Sequence, residues 1–275
     1  MKLKSWFNIG VLVSILGFTI VLLLIISNGF KLFVSDTFNK SYEIEESFDS
    51  IKLDLNEADI NIYYSEDGKN IVKTQEKKHQ TFDAKVVNGV LVIEEKVNWL
   101  SDFFSFSTVE IDLYVNKKVF DKLVIDGSTS NLYIEGGFTF NEVNIDLSTT
   151  KINLNDINVI NDVYIKRSTG LLKVNGLHCG GNLYIKGSTG DCELTNVVAA
   201  GDLTIKGTTC DVDMDGCDAA NIYITVSTGH VKGTILTGKT FDIKTSTGSI
   251  KHPENIANGI CTIKTSTGDV NISYK

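Results

Sequence analysis

From about Leu123 to the end of the chain, apolar and polar positions alternate with period two, and the alternation restarts at a fixed interval. Each restart carries one short phrase. The copies are Ser128-Thr129-Ser130, Ser148-Thr149-Thr150, Ser168-Thr169-Gly170, Ser188-Thr189-Gly190, Thr208-Thr209-Cys210, Ser227-Thr228-Gly229, Ser246-Thr247-Gly248 and Ser266-Thr267-Gly268, and they begin 20, 20, 20, 20, 19, 19 and 20 residues apart. Three positions before each phrase stands Ile: Ile125, Ile145, Ile165, Ile185, Ile205, Ile224, Ile243 and Ile263. Four positions after its first residue come Leu132, Ile152, Leu172, Cys192, Val212, Val231, Ile250 and Val270. Alternation of this kind marks strands with one buried face. A repeat of about 20 residues marks a solenoid, each repeat one coil stacked on the next. The predicted fold is all-β, a parallel β-solenoid with successive repeats as successive turns.

The inward positions before and after the phrase differ by an odd number of residues, so the phrase must contain a bend or bulge. Gly at its third place in five copies supplies a permissive corner. Eight Thr in register suggest hydroxyl ladders between coils. The return segment, typified by Asn175–Asn182, is turn-rich with one small apolar residue at matching places (Leu177, Val197, Cys217), which fits a short third strand or an irregular arm. About eight coils make a rod roughly 35–40 Å long, with two open ends that need covering.

Upstream the pattern changes. Residues 6–26 hold no charged side chain, the length of one bilayer-spanning helix, and residues 1–5 carry Lys2 and Lys4. A single N-terminal transmembrane helix is therefore predicted, with the N-terminus cytoplasmic and the bulk extracytoplasmic. Residues 27–47 read as a juxtamembrane stalk. Residues 48–122 are β-rich but off the period, either a cap or irregular first coils, followed by the regular solenoid at 123–275. Asn88-Gly89 between Val86-Val87 and Val90-Leu91 signals a hairpin. Trp99–Phe104 is an apolar insertion that either packs on the rod's end or contacts a partner.

Composition narrows the chemistry. A net charge of −8 and a lone arginine, Arg167, argue against nucleic acid. Cys179, Cys192, Cys210, Cys217 and Cys261 fall mostly where other coils carry Leu, Ile, Val or Ala, so they read as small buried hydrophobes rather than disulfides. Asp211, Asp213 and Asp215 resemble the opening of a calcium loop, but Ile222 stands where the bidentate Glu belongs; a solvated acidic edge is the reading, with no metal and no cofactor expected. The outward row two places before the phrase is Asp126, Asp146, Lys166, Lys186, Lys206, Thr225, Lys244 and Lys264, beside a row holding Tyr164, Tyr184 and Tyr223. Asp126 and Asp146 have carboxylate spacing that any stacked pair would have, and no catalytic Ser, His or Asp set travels with a repeat. Tyr164, Tyr184, Tyr223, Lys166, Lys186 and Lys206 form the candidate ligand-binding face, suited to glycan, a teichoic-type anionic polymer or an envelope protein.

The I-K-x-S-T-G-x-[VIL] phrase (Ile185 to Cys192 with Cys at the last place, Ile243 to Ile250, Ile263 to Val270), the irregular strands from Phe48 and the joining run Val109–Val115 resemble the bacterial "putative adhesin" family of β-strand-repeat domains, a family of unknown function. The resemblance implies an envelope protein, often membrane-anchored, with no catalytic residue to carry over. The expected function is a membrane-anchored, non-enzymatic binding or scaffold module for adhesion or envelope-stress sensing; the alternatives are a polysaccharide-acting β-helix enzyme and an inert spacer.

Overall fold

The structure is a computed structural model, and it describes residues 13–14, 16–19, 23, 37–97 and 108–275. The described part is almost wholly β. Each regular coil has three strands. In the coil of Val163–Thr169 and Leu172–Cys179, the first strand pairs in parallel with its equivalents above and below, Val143↔Val163↔Leu183. The second follows the corner, Ile152↔Leu172↔Cys192. The return arm is a true third strand, Ile157↔Leu177↔Val197. A residue with positive φ turns each coil from second strand to third: Asp156, Gly176, Asn196 and Gly216 in successive coils. These are the residue types that tolerate the left-handed region.

The Ile column lies in register throughout, Ile125↔Ile145↔Ile165↔Ile185↔Ile205↔Ile224↔Ile263↔Ile243. Seven of its members are at most 1% exposed; burying such a side chain contributes about 1.5–3 kcal/mol each. Ile243 alone is half-exposed, and the order of the column explains why. The eighth repeat stacks on the sixth, and the seventh lies outside the eighth. This corrects the expectation that successive repeats are successive turns.

The same interleaving occurs at the other end. Ser50–Leu55 sits between Val119–Thr129 and Val90–Val97, all parallel, and Ala58–Tyr64 sits between Leu132–Ile134 and Val109–Val115. At each end, then, the outermost parallel coil is tethered by chain on both sides. Beyond it at the N-terminal end the sheet turns antiparallel: Ile71–Lys77 on Val109–Val115, Gln80–Val87 on Val90–Val97, and Thr37–Glu43 on Ile71–Lys77. Asn88 and Gly89, both at positive φ, close the expected hairpin with Val87 opposite Val90. Thr37–Glu43 lies within the stretch read as a stalk and is a paired strand.

The membrane-spanning helix in the predicted fold is not supported: among the described residues no helix is long and apolar enough to cross a membrane. The rest of the 6–26 expectation, and the Trp99–Phe104 insertion, lie outside the described residues.

The corners come in two forms. Where the third residue is Gly, φ is positive, as at Gly170 (120°), and a Cβ there would stand 1.7 Å from the Thr150 carbonyl oxygen. Where it is Ser130, Thr150 or Cys210, the side chain turns inward and is buried. The Thr column, Thr129 to Thr267 and Thr247, is held by backbone pairing and exposed on the convex corner. Among the described residues no hydroxyl of this column bonds to the next.

Candidate binding face

Residues two and four places before the phrase point outward from the first strand, because the Ile between them points in. Parallel pairing then stacks equivalents, so Tyr164↔Tyr184↔Thr204↔Tyr223 and Asp146↔Lys166↔Lys186↔Lys206↔Thr225 form two neighbouring columns. The structure thus brings Tyr164, Tyr184, Lys166, Lys186 and Lys206 together. Tyr223 is on the same face but separated from Tyr184 by Thr204.

The Tyr164 and Tyr184 rings stack at 4.9 Å between centroids and 5° between planes. The Lys206 ammonium sits 5.6 Å from the Tyr184 centroid. One face of each ring is therefore used by the other, and a face of Tyr184 by a cation. Lys166 binds Asp146 at 2.7 Å, and that hydrogen bond raises the Lys166 pKa. Asp146 is thereby committed to a lysine rather than to Asp126 in the coil below. Lys186 is exposed and has no carboxylate within ion-pair distance among the described residues; the same holds of Lys206.

Repeat interleaving reorders the end of this column. Thr225 is followed along the column by Lys264, then Lys244. Lys264 is exposed and also lacks an ion pair among the described residues. The two rows flanking this column on the corner are the Ser and Thr of the phrase, so ammonium and hydroxyl groups repeat at about 4.8 Å along the rod.

The acidic row is differently placed. The Asp211 carboxylate accepts from the His230 backbone N–H at 2.7 Å, Asp213 binds Lys232 at 3.0 Å, and Asp215 binds Lys275 at 3.1 Å and accepts from the Thr234 hydroxyl at 3.0 Å. Each carboxylate is thus matched to a group on a neighbouring strand. Among the described residues no three His, Cys, Asp or Glu side chains are grouped to hold a metal ion. All five cysteines are free and buried. Burial pushes the Cys217 thiol up to about 11 and that of Cys261 to about 12, so neither is a thiolate at neutral pH.

A residue that sequence reasoning passed over is Arg167, 2% exposed. Its side chain turns into the corner beside Gly187, whose missing Cβ leaves it room. The guanidinium donates to the carbonyls of Gly170 (2.5 Å), Thr189 (3.2 Å), Gly190 (2.8 Å) and Asp191 (2.8 Å). It staples consecutive corners directly behind the candidate face. Its signal in the sequence is a single Arg in a column otherwise filled by Gly, Leu, Val and Thr.

The repeat phrase, its register and the irregular first coils agree with one family, whose sequence profile matches residues 48–275. The chain belongs to the Toastrack DUF4097 family. No curated protein matches it. Among solved structures it is similar to a "putative adhesin" from Bacteroides fragilis (14% identity, 86% of this chain and 97% of that one, TM-score 0.39). A "putative cell adhesion protein" from Clostridium sporogenes shares 16% identity over 87% and 100% of the two chains (TM-score 0.30). A "putative lipid binding protein" from Parabacteroides distasonis shares 12% over 86% and 98% (TM-score 0.29). At these scores the likeness carries no functional argument, and the Toastrack assignment rests on sequence.

Proposed function

We propose that this Toastrack protein is a non-enzymatic binding module of the cell envelope whose first-strand face takes an anionic, phosphate-bearing polymer. One observation carries the reading: Lys186, Lys206 and Lys264 lie in one straight column, free of carboxylate partners, beside continuous rows of Ser and Thr hydroxyls. Ammonium groups set at multiples of the coil spacing, with Thr225 between Lys206 and Lys264, match a linear polyanion better than a compact ligand. The net charge of −8 makes the match local, so binding is expected to weaken steeply with salt. The Tyr164–Tyr184 pair, with ring faces already stacked, contributes less than an open aromatic platform for sugars would.

The test uses soluble poly(glycerol phosphate) as probe. The triple variant Lys186→Ala, Lys206→Ala, Lys264→Ala is expected to lose most of the binding, and Tyr164→Ala with Tyr184→Ala to retain it. Loss in the tyrosine variant with retention in the lysine variant would replace the polyanion with a stacked glycan. Indifference to both would remove the face from the binding role.

A further inference from the structure

We propose that two copies of the chain join head to head through the C-terminal end of the rod, the outermost strand Thr240–Thr247 pairing antiparallel with its own copy about Ile243. This stands apart from the polyanion reading. Among the described residues the strand pairs on one side only, with Ile260–Thr267. The Thr240 N–H points to that neighbour, donating to the Gly259 carbonyl, whereas the Phe241 N–H points away and donates to the Asn255 side chain at 3.0 Å. By alternation, the N–H and C=O groups of Ile243 and Thr245 also point away from the rod. Among the described residues they meet no strand, and such an edge is a template for one more.

The core is unfinished at the same place. Phe241, Ile243 and Ile250 occupy inward positions of the last coil; Ile250 is 43% exposed, and Ile256 in the following loop is 50% exposed. Val270, directly beneath Ile250, is 1% exposed. What is missing is one further layer.

Two features choose a second copy as that layer. In an antiparallel pair, residues that point their backbone groups at the partner sit opposite one another as a hydrogen-bonded pair. Ile243 is such a residue, so a two-fold axis through it sets Ile243 against Ile243 with both side chains on the core side. The same register sets Asp242 against Lys244 of the other copy, twice, on the solvent side. Both residues are exposed, with only a 3.5 Å contact to each other within the chain. The strand is therefore complementary in charge to itself in this register. Stacking on the other end of the rod lacks that match, because its outermost strand, Thr37–Glu43, is polar and exposed along nearly its whole length. Asn255 is the gate: it satisfies the Phe241 N–H in the single rod and yields that donor to Thr245 of the second copy.

The experiment measures the mass of the full chain, kept in solution with a mild non-ionic detergent, by light scattering across a concentration series. The wild type is expected to reach twice 30.2 kDa of protein. Lys244→Asp sets Asp against Asp at two contacts and is expected to weaken the dimer at least about tenfold. Asp242→Lys combined with Lys244→Asp restores both contacts and is expected to restore the dimer, which a merely structural role would not predict. Asn255→Ala is expected to tighten it. Hydrogen exchange at the Ile243 and Thr245 amides is expected to slow with concentration. A monomer at all concentrations overturns the proposal, as does open-ended growth, a single-charge variant that dimerises like wild type, or a double swap that stays monomeric.

Discussion

The two ends of the rod solve one problem differently. At the N-terminal end the outermost parallel coil is followed by an antiparallel layer and then by Thr37–Glu43, and two inward apolar side chains of that layer, Val72 and Phe82, are 0% and 4% exposed. Glu76 is fully buried there, bound by Lys40 at 2.6 Å and by the Tyr42 hydroxyl at 2.9 Å. At the C-terminal end no antiparallel layer covers the last coil among the described residues. A loop folds back so that His252 stacks on Phe241 at 4.9 Å and Asn255 occupies one edge N–H, and the rest of the edge is open. Interleaving is common to both ends and protects against fraying, since the outermost coil is never a chain terminus. The difference teaches that tethering a coil and covering it are separate tasks. The N-terminal end does both within one chain, and the C-terminal end leaves covering to another layer.

The largest expected effect comes from placing the same charge at each end. Val72→Asp buries a carboxylate under the covering layer and is expected to cost about 4 kcal/mol or more. Ile250→Asp, at a position already wet, is expected to cost no more than about 1 kcal/mol. Urea unfolding at low protein concentration checks both. Equal losses would mean that the two ends are equally closed.

The middle of the rod calibrates that contrast. Arg167→Ala takes the guanidinium from four corner carbonyls, of which Thr189 and Asp191 keep a backbone N–H donor (from Gly170 and Leu172) and Gly170 and Gly190 do not, and is expected to cost about 3 kcal/mol. Since neighbouring coils share stability along a solenoid, its loss is expected to turn one unfolding transition into two, the halves on either side melting separately. A single, unshifted transition would show that the guanidinium is dispensable.

What the sequence disclosed follows from which features are local. The coil period, the inward Ile column, the hairpin at Asn88-Gly89 and the buried cysteines are fixed by patterns within 20 residues, and each was legible. The order of stacking is not local. Repeats seven and eight carry the same phrase, and either fits on the sixth. One trace of the answer exists: the arm position held by Leu177, Val197 and Cys217 is the polar Asn255 in repeat seven, which therefore lacks the core residue of an interior coil. The covering layer was legible only as one of two alternatives, a cap or irregular first coils, since antiparallel and parallel strands share the same alternation. On the candidate face, Lys166, Lys186 and Lys206 were found from register alone. Lys264 was misplaced by one layer because its neighbour is set by interleaving. Arg167 was missed because an inward charge is acceptable only where neighbouring corners turn their carbonyls toward it, and no pattern along one coil reveals that.

The smallest effects are titrations of single contacts at each end. At the C-terminal end the Asp269 carboxylate accepts from the backbone N–H of Ser249 at 2.7 Å and from its hydroxyl at 2.9 Å, tying the last coil to the one beneath. These bonds hold its pKa below the ordinary carboxylate value. The tie is therefore complete above about pH 4, where the unfolded carboxylate is ionised, and is lost as the pH falls through the lower folded value. At the N-terminal end, the hydrogen bond that Lys40 donates to Glu76 raises the Lys40 pKa, and burial, followed by the hydrogen bond its hydroxyl donates to Glu76, raises that of Tyr42. Both contributions are complete below about pH 10 and are lost as the pH rises through the folded values. Acid is thus expected to loosen the Asp269–Ser249 tie, read as faster exchange of the Ser249 amide after correction for the intrinsic rate, and to weaken the contacts of Asp67 and Asp83, also held low, at the other end. Alkali is expected to loosen the Thr37–Glu43 strand first, read from tyrosine near-ultraviolet dichroism. Asp269→Asn is expected to flatten the acid response at Ser249 while leaving the alkaline response unchanged. If one variant abolished both, the two ends would have to be coupled through the whole rod rather than closed independently.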